Sequence, residues 1–201
     1  MSGLSDAEGE YLVRLARAVI EHRLGLRGPP EPGYRARFPE KRGVFVTLSQ
    51  YPSGGLRGCI GLPYPVEPLG EAVVKMALEA AFGDPRFPPV EPQEMDRLLV
   101  EVSVLTLPTP VEASSPDQLP EAVQVGRDGL IVSRGWNRGL LLPQVAVEWG
   151  WDSRQFLSQC CLKAGLPPDA WRRGGVEVYR FQAQVFGEEE PRGRVVGKGG
   201  G

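Results

Sequence analysis

Histidine occurs once in this chain of 201 residues, at position 22, and cysteine only three times. A zinc site wants Cys or His ligands in closely spaced pairs, and the sequence holds no C-x-x-C or H-x-x-x-H spacing. The adjacent Cys160 and Cys161 point to different faces of any helix that carries them, so no metal site is expected. A single imidazole also removes most nucleophilic triads. His22 falls at the end of the first predicted helix, where a cation is favoured in any case, and no sequence feature brings it to Cys59. Three cysteines do not make a disulfide framework, which points to a reducing compartment, the cytoplasm. No apolar run reaches the roughly 20 residues of a membrane span. Met1 to Glu10 is polar and acidic rather than a secretory leader, so no membrane association is expected. A basic surplus is missing as well: net charge is −2, and the tightest basic pair, Arg172-Arg173, has acids around it. Binding by counterion release needs a basic face, so nucleic acid is not an expected partner.

The chain does have an ordinary globular balance, 41% apolar and 24% charged, enough for one good domain or two small lobes. Ser5-Asp6-Ala7-Glu8 fits a capping box, and Leu12, Leu15, Ala16, Val19 and Ile20 follow at helical spacing, predicting a helix over 6–24. Four prolines between Gly25 and Pro39 predict an irregular connection. Val44–Leu48 is strand-like, Gln50–Gly55 supplies a turn, and Leu56–Leu62 returns as its partner. Leu69–Phe82 is helical and stops at Gly83 with Pro85 beyond. A short helix over Pro92–Leu98 and a strand over Leu99–Leu107 follow, then one or two helical turns in Pro116–Val123. A hairpin is expected around Gly135–Arg138, and a second capping box, Asp152 with Gln155, opens a helix that ends before Gly165. Val176–Phe186 alternates as a last strand. Beyond Gly187 the composition is Glu, Arg, Lys, Pro and Gly, predicting a disordered tail over 188–201. Helices and strands mix without regular βαβ alternation. The predicted class is α+β, with a mainly antiparallel sheet and flanking helices.

The densest chemistry lies in Gly54-Gly55-Leu56-Arg57-Gly58-Cys59-Ile60-Gly61. Four glycines in eight residues can bring backbone N–H groups to a ligand, yet the spacing is neither a Walker A loop nor a dinucleotide fingerprint. Arg57, two residues from Cys59, would favour the thiolate if the two side chains met. The plain alternative is a tight hairpin whose glycines permit close packing and whose Cys59 is a small buried hydrophobe. Asp84-Pro85-Arg86-Phe87 and Arg127-Asp128-Gly129 each join opposite charges at a turn; they read either as turn formation with local ion pairing or as a charged rim. Trp149-Gly150-Trp151 reads as core ahead of a helix cap, or as the wall of an apolar pocket.

Taken in order, these segments resemble the AMMECR domain family. The resemblance is carried by Leu56–Gly61, Ala80-Ala81-Phe82-Gly83-Asp84-Pro85-Arg86-Phe87-Pro88-Pro89 and Val125-Gly126-Arg127-Asp128-Gly129-Leu130-Ile131-Val132. It is carried further by Arg138-Gly139-Leu140-Leu141-Leu142-Pro143-Gln144-Val145, Gly150-Trp151-Asp152, and Lys163–Trp171. It spans roughly residues 5–187. It implies a single domain of a larger and a smaller lobe, with the Leu56–Gly61 segment near a shared cleft. Bacterial and archaeal members are also called AmmeMemoRadiSam system protein A, which implies Memo-like and radical S-adenosylmethionine proteins as partners. The resemblance supplies no substrate, cofactor or catalytic residue.

Three functions are compatible with these features. In the first, the chain binds a peptide or an anionic metabolite for a modification system, using Arg57, Gly58, Gly61, Asp84, Arg86, Arg127 and Asp128 as candidate ligand-binding residues. In the second, Cys59 is a catalytic nucleophile or carrier. In the third, the chain is a regulatory scaffold acting by protein–protein contacts. The lack of a recognisable base beside Cys59 places binding ahead of thiol catalysis.

Overall fold

The structure is a computed structural model and describes residues 3–198. In chain order the helices are α1 (Asp6–Arg23), α2 (Tyr34–Arg37), α3 (Leu69–Phe82), α4 (Leu119–Ala122), α5 (Pro143–Glu148) and α6 (Ser153–Lys163). The strands are β1 (Val44–Gln50), β2 (Leu56–Leu62), β3 (Leu98–Leu105), β4 (Thr109–Pro110), β5 (Gly129–Arg134), β6 (Asn137–Leu141), β7 (Glu177–Phe181), β8 (Ala183–Glu188) and β9 (Val195–Lys198). A 3-10 segment covers Pro92–Arg97. The class is α+β, with two separate sheets whose assigned pairings are antiparallel. No helix among the described residues is long and apolar enough to cross a membrane. The chain divides into two compact units, one running to Leu105 and resuming at Gln184, the other spanning Thr106–Ala183.

The first unit is built on a sheet of order β2-β1-β3-β8-β9. Strand alternation puts Val44, Val46 and Leu48 of β1 on the same face as Val100, Val102 and Val104 of β3. All six are fully buried with Leu12, Ala16 and Ile20 of α1 and Val73, Ala77 and Ala80 of α3. Each side chain of this kind stabilises the fold by about 1.5–3 kcal/mol through apolar burial, less for alanine. The Ser5–Glu8 capping box that starts α1 is present in both directions. α3 has the predicted bounds, closed by Gly83.

Over residues 188–198 the chain departs from expectation; residues 199–201 of the expected tail lie outside the described residues. Glu188, placed by composition in a disordered tail, is 1% exposed, and β9 pairs antiparallel with β8 from Val195↔Glu188 to Lys198↔Val185. Two of the polar residues that argued for disorder, Glu188 and Arg192, are ion-pair partners of α1. Arg17, itself buried, donates through Nε to Glu188 Oε1 at 2.7 Å and through Nη2 to Oε2 at 2.6 Å. Its Nη1 reaches Met95 O at 3.1 Å, and the Val100 N–H donates to Glu188 Oε2 at 3.0 Å. Arg192 bonds Glu21 at 2.9 Å, and Arg14 donates to the Gly193 carbonyl at 2.6 Å. A buried charge is tolerated when paired and hydrogen-bonded in this way.

The second unit holds the sheet β4-β7-β5-β6, with α6 against β5 and β6. Phe156, Leu157, Cys160 and Cys161 of α6 are fully buried with Leu130, Val132 and Trp171 nearby in the same core. The Asp152–Gln155 capping box is present. Gly139 permits the contact of β6 with the end of α6, because a Cβ there would lie 2.5 Å from Ala164 N. The single predicted strand over Val176–Phe186 is two strands. β7 pairs with β5, whereas β8 joins the other sheet. The switch occurs at Gln182, whose N–H donates to Thr106 Oγ1 at 2.8 Å and whose Nε2 donates to Asp128 Oδ1 at 3.1 Å. The Gln182 carbonyl accepts from the Thr106 N–H at 2.7 Å, so Thr106 satisfies both backbone groups of the residue between the two strands.

Candidate functional site

β2 is an edge strand of its sheet, so the outward backbone groups along it need partners or water. At Cys59 both outward groups are taken by side-chain atoms from the loop after α3. The Cys59 N–H donates to Asp84 Oδ2 at 2.9 Å, and Arg86 Nη2 donates to the Cys59 carbonyl at 3.1 Å. Asp84 also accepts from Arg86 Nε at 2.9 Å, Arg86 Nη2 at 2.7 Å and the Arg86 backbone N–H at 3.1 Å. Asp84 is 4% exposed. Hydrogen bonds from the Arg86 side chain first, and then from the Cys59 and Arg86 backbone, hold its carboxyl well below the usual carboxylate range against the effect of burial. Asp84 is therefore a structural anion that fixes Arg86 against the strand edge. The Arg86 side chain keeps 53% of its surface exposed.

Arg57 does not serve Cys59. The register runs Ser49↔Leu56 and then Leu48↔Gly58, leaving Arg57 as the extra residue of a β-bulge. The bulge turns the arginine out of the i, i+2 relation that strand alternation would give it with Cys59. Its Nε donates to Glu94 Oε1 at 2.7 Å and its Nη2 to Glu94 Oε2 at 3.1 Å, a bidentate pair. Nη2 also approaches the Pro89 carbonyl at 3.4 Å. The Arg57 hydrogen bonds lead the causes that lower the Glu94 carboxyl below its ordinary value. Arg57 is only 6% exposed, and its buried Nη1 has no hydrogen-bond partner among the described residues.

The two guanidinium groups share one aromatic neighbour. The Cζ of Arg57 lies 5.9 Å and that of Arg86 5.5 Å from the centre of the Phe87 ring, both within cation–π range. Cys59 is half-buried, and the Thr47 hydroxyl, directly across β1, donates to its Sγ at 3.3 Å. Cys160 and Cys161 are fully buried, and burial pushes the Cys160 thiol up to about 12.

The glycines have a steric role. Gly58 and Gly61 lie in β2 and neither has a positive φ. A Cβ on Gly58 would sit 2.1 Å from the Ala80 carbonyl of α3, and one on Gly61 would sit 2.1 Å from the Phe45 ring. Arg127 and Asp128 belong to the second unit. Asp128 is buried and accepts from the Gln124 N–H at 3.0 Å, while Arg127 reaches the Gln124 side chain at 3.1 Å. No ion pair joins the two among the described residues, and they hold their own turn. Trp149, read as core, is 69% exposed. Sequence reasoning missed Glu94, Thr47 and Phe87 as parts of the site. Thr47 could have been found by counting register across the hairpin, and Glu94 as the third residue of a capping box begun by Glu91.

The AMMECR1 family model matches residues 13–186. A protein of Thermococcus gammatolerans is 55% identical over 200 residues, covering 97% of each chain. One from Methanocaldococcus jannaschii is 53% identical over 195 residues, again covering 97% of each. A crystal structure of an uncharacterized protein from Pyrococcus horikoshii superposes with a TM-score of 0.78 at 52% identity, covering 97% of this chain and 98% of that one.

Proposed function

Since the chain belongs to the AMMECR1 family, we propose that it is a binding component of an AmmeMemoRadiSam-type modification system, and that Arg57, Arg86 and Phe87 beside Cys59 hold the anionic end of a small-molecule or peptide ligand. The family resemblance supports the system and its Memo-like and radical S-adenosylmethionine partners. The site is supported by one observation above the others, the buried and unpartnered Nη1 of Arg57. Leaving a charged donor unsatisfied costs on the order of 1–3 kcal/mol, and such a group in a native fold calls for an explanation. A carboxylate or phosphate oxygen accepted there removes that cost.

Both guanidinium groups are anchored through Nε and Nη2, to Glu94 and to Asp84, so their orientation is set before a ligand arrives. Pre-orientation lowers the ordering cost of binding. Phe87 adds an apolar face against which the uncharged part of the ligand rests. The thiol of Cys59 would then lie beside the bound group as a contact. The reading of Cys59 as a nucleophile is weaker, because the arginine expected to activate it faces Glu94 and its Sγ accepts from the Thr47 hydroxyl.

Thermal shift with inorganic phosphate and with S-adenosylmethionine, on the wild type and on Arg86→Gln, tests the proposal. A saturable rise in Tm with at least one of them, lost in Arg86→Gln, is the expected result. No rise with either, or an equal rise in both proteins, would overturn it.

A further inference from the structure

In the second unit, α5 turns an apolar face outward. Successive helix residues are rotated by about 100°, so Glu148, two on from the fully buried Ala146, points away from the core. Val147 and Trp149, on either side of it, are 59% and 69% exposed. Val125, also exposed, joins them. A Cβ on Gly126 would lie 3.3 Å from Val147 Cγ2, so the loop that carries Val125 and Arg127 runs against Val147. Trp149 stacks one face of its ring on Trp151, with centres 6.0 Å apart and planes 16° from parallel, and leaves the other face open. Single exposed apolar residues are ordinary, whereas a contiguous patch marks an interaction surface.

The charges bordering this patch are of both signs. Arg127 is exposed, and its side-chain hydrogen bond is to Gln124 Oε1 at 3.1 Å. Glu148 is exposed as well. Neither forms an ion pair among the described residues. The neighbouring carboxylate, Asp152, is committed to the cap of α6, where its Oδ1 accepts from the Gln155 N–H at 2.8 Å. One cation and one anion, each without a counter-ion, therefore flank the same apolar residues.

We infer that this patch joins two copies of the chain in a two-fold dimer. In an isologous contact, whatever residue i meets on the second copy meets residue i in return. A two-fold axis passing near Val147 covers the apolar residues with themselves and sets Arg127 of each copy against Glu148 of the other, twice. Other occupants fit less well. An anionic lipid surface or polyanion meets the repulsion of Glu148, and a basic partner that of Arg127, whereas a patch with one charge of each sign contains its own complement. Tryptophan and arginine are also the residues that most often carry interface energy. The patch is small beside a standard interface of about 1,200–2,000 Å², so the dimer is of micromolar rather than nanomolar affinity. This inference rests on the second unit alone and stands apart from the Arg57–Arg86 site.

Sedimentation velocity of the full chain, over roughly 1–300 µM and at low salt, tests it. The wild type should pass from monomer to dimer across that range. Trp149→Ser, Arg127→Glu and Glu148→Arg should each weaken the dimer by about tenfold or more. All three side chains are exposed, and far-UV circular dichroism verifies that each variant is folded. An equimolar mixture of Arg127→Glu with Glu148→Arg should dimerise again, because each variant then offers two charges of one sign to two of the other. A wild type that stays monomeric throughout, a dimer undiminished by any of the three substitutions, or a mixture no better associated than its components would each overturn the inference.

Discussion

Replacing Gly58 with alanine tests the claim that the glycine-rich strand is a packing device. The added Cβ would lie 2.1 Å from the carbonyl oxygen of Ala80. Ordinary contact is about 3.5 Å, so β2 or α3 must recede by more than about 1 Å at that point. The obstacle is helix backbone, which no rotamer change relieves. Receding opens gaps around Val73, Met76, Ala77 and Ala80, all buried against β1 and β2. Overpacking costs typically about 1–3 kcal/mol, and a backbone obstacle places Gly58→Ala near 3 kcal/mol. Gly61→Ala is the internal control. Its Cβ would meet the ring of Phe45 at the same 2.1 Å, but Phe45 is half-buried and can swing away, for about 1 kcal/mol. Urea unfolding followed by far-UV circular dichroism gives both values, and hydrogen exchange over 44–62 and 69–82 locates the loss. A Gly58→Ala protein within about 0.5 kcal/mol of wild type, the ordinary range of an innocuous surface change, would refute the reasoning. So would a larger cost at Gly61.

Three further predictions follow from buried charge and from the thiols. Glu188→Ala strips the buried Arg17 of its bidentate partner, leaving only the Glu21 carboxylate at 3.5 Å, and should cost about 3 kcal/mol in a urea titration. The Arg17→Met/Glu188→Leu pair should recover most of that loss. Asp84→Asn should destabilise the protein at pH 7. The folded carboxyl titrates below its unfolded value, so its contribution is complete above about pH 4 and is lost as pH falls through the depressed folded value. The stability difference between wild type and variant should therefore hold from pH 7 to about pH 4 and narrow below it; a difference that vanishes near pH 6 would contradict the assignment. In pulsed alkylation with mass spectrometry, Cys59 should react first, with Cys160 and Cys161 modified only on unfolding, because both are fully buried and the Cys160 thiol is pushed up to about 12.

Local signals read correctly wherever chemistry and packing agreed. The Ser5 and Asp152 capping boxes, the bounds of α3 and the hairpin turn at Gly135-Trp136 were all legible because each rests on neighbours within four residues. Three features were not. The alternation over Val176–Phe186 is continuous in sequence, and only tertiary bonds at Gln182 divide it between two sheets. The polar composition after Gly187 carries no periodicity, yet Glu188 and Arg192 pair with α1, which composition does not encode. At the site, a one-residue bulge reversed the meaning of Arg57. Two positions of separation imply a shared face, and the extra residue delivers the guanidinium to Glu94, 37 positions away. Asp84 and Arg86 were legible as a turn ion pair, whereas their closure of the β2 edge at Cys59 depends on which strand lies outermost.

The site account depends on two guanidinium groups, anchored by carboxylates and with the Arg57 Nη1 buried and unpartnered, acting together on one anion. The arginine Nε–H resonances of 15N-labelled protein report this directly. Titration with inorganic phosphate should shift the signals of Arg57 and Arg86 together and saturably, with one affinity, and Arg86→Gln should weaken the Arg57 response by about tenfold. An Arg57 signal unmoved by phosphate, or one that responds identically without Arg86, would contradict the account.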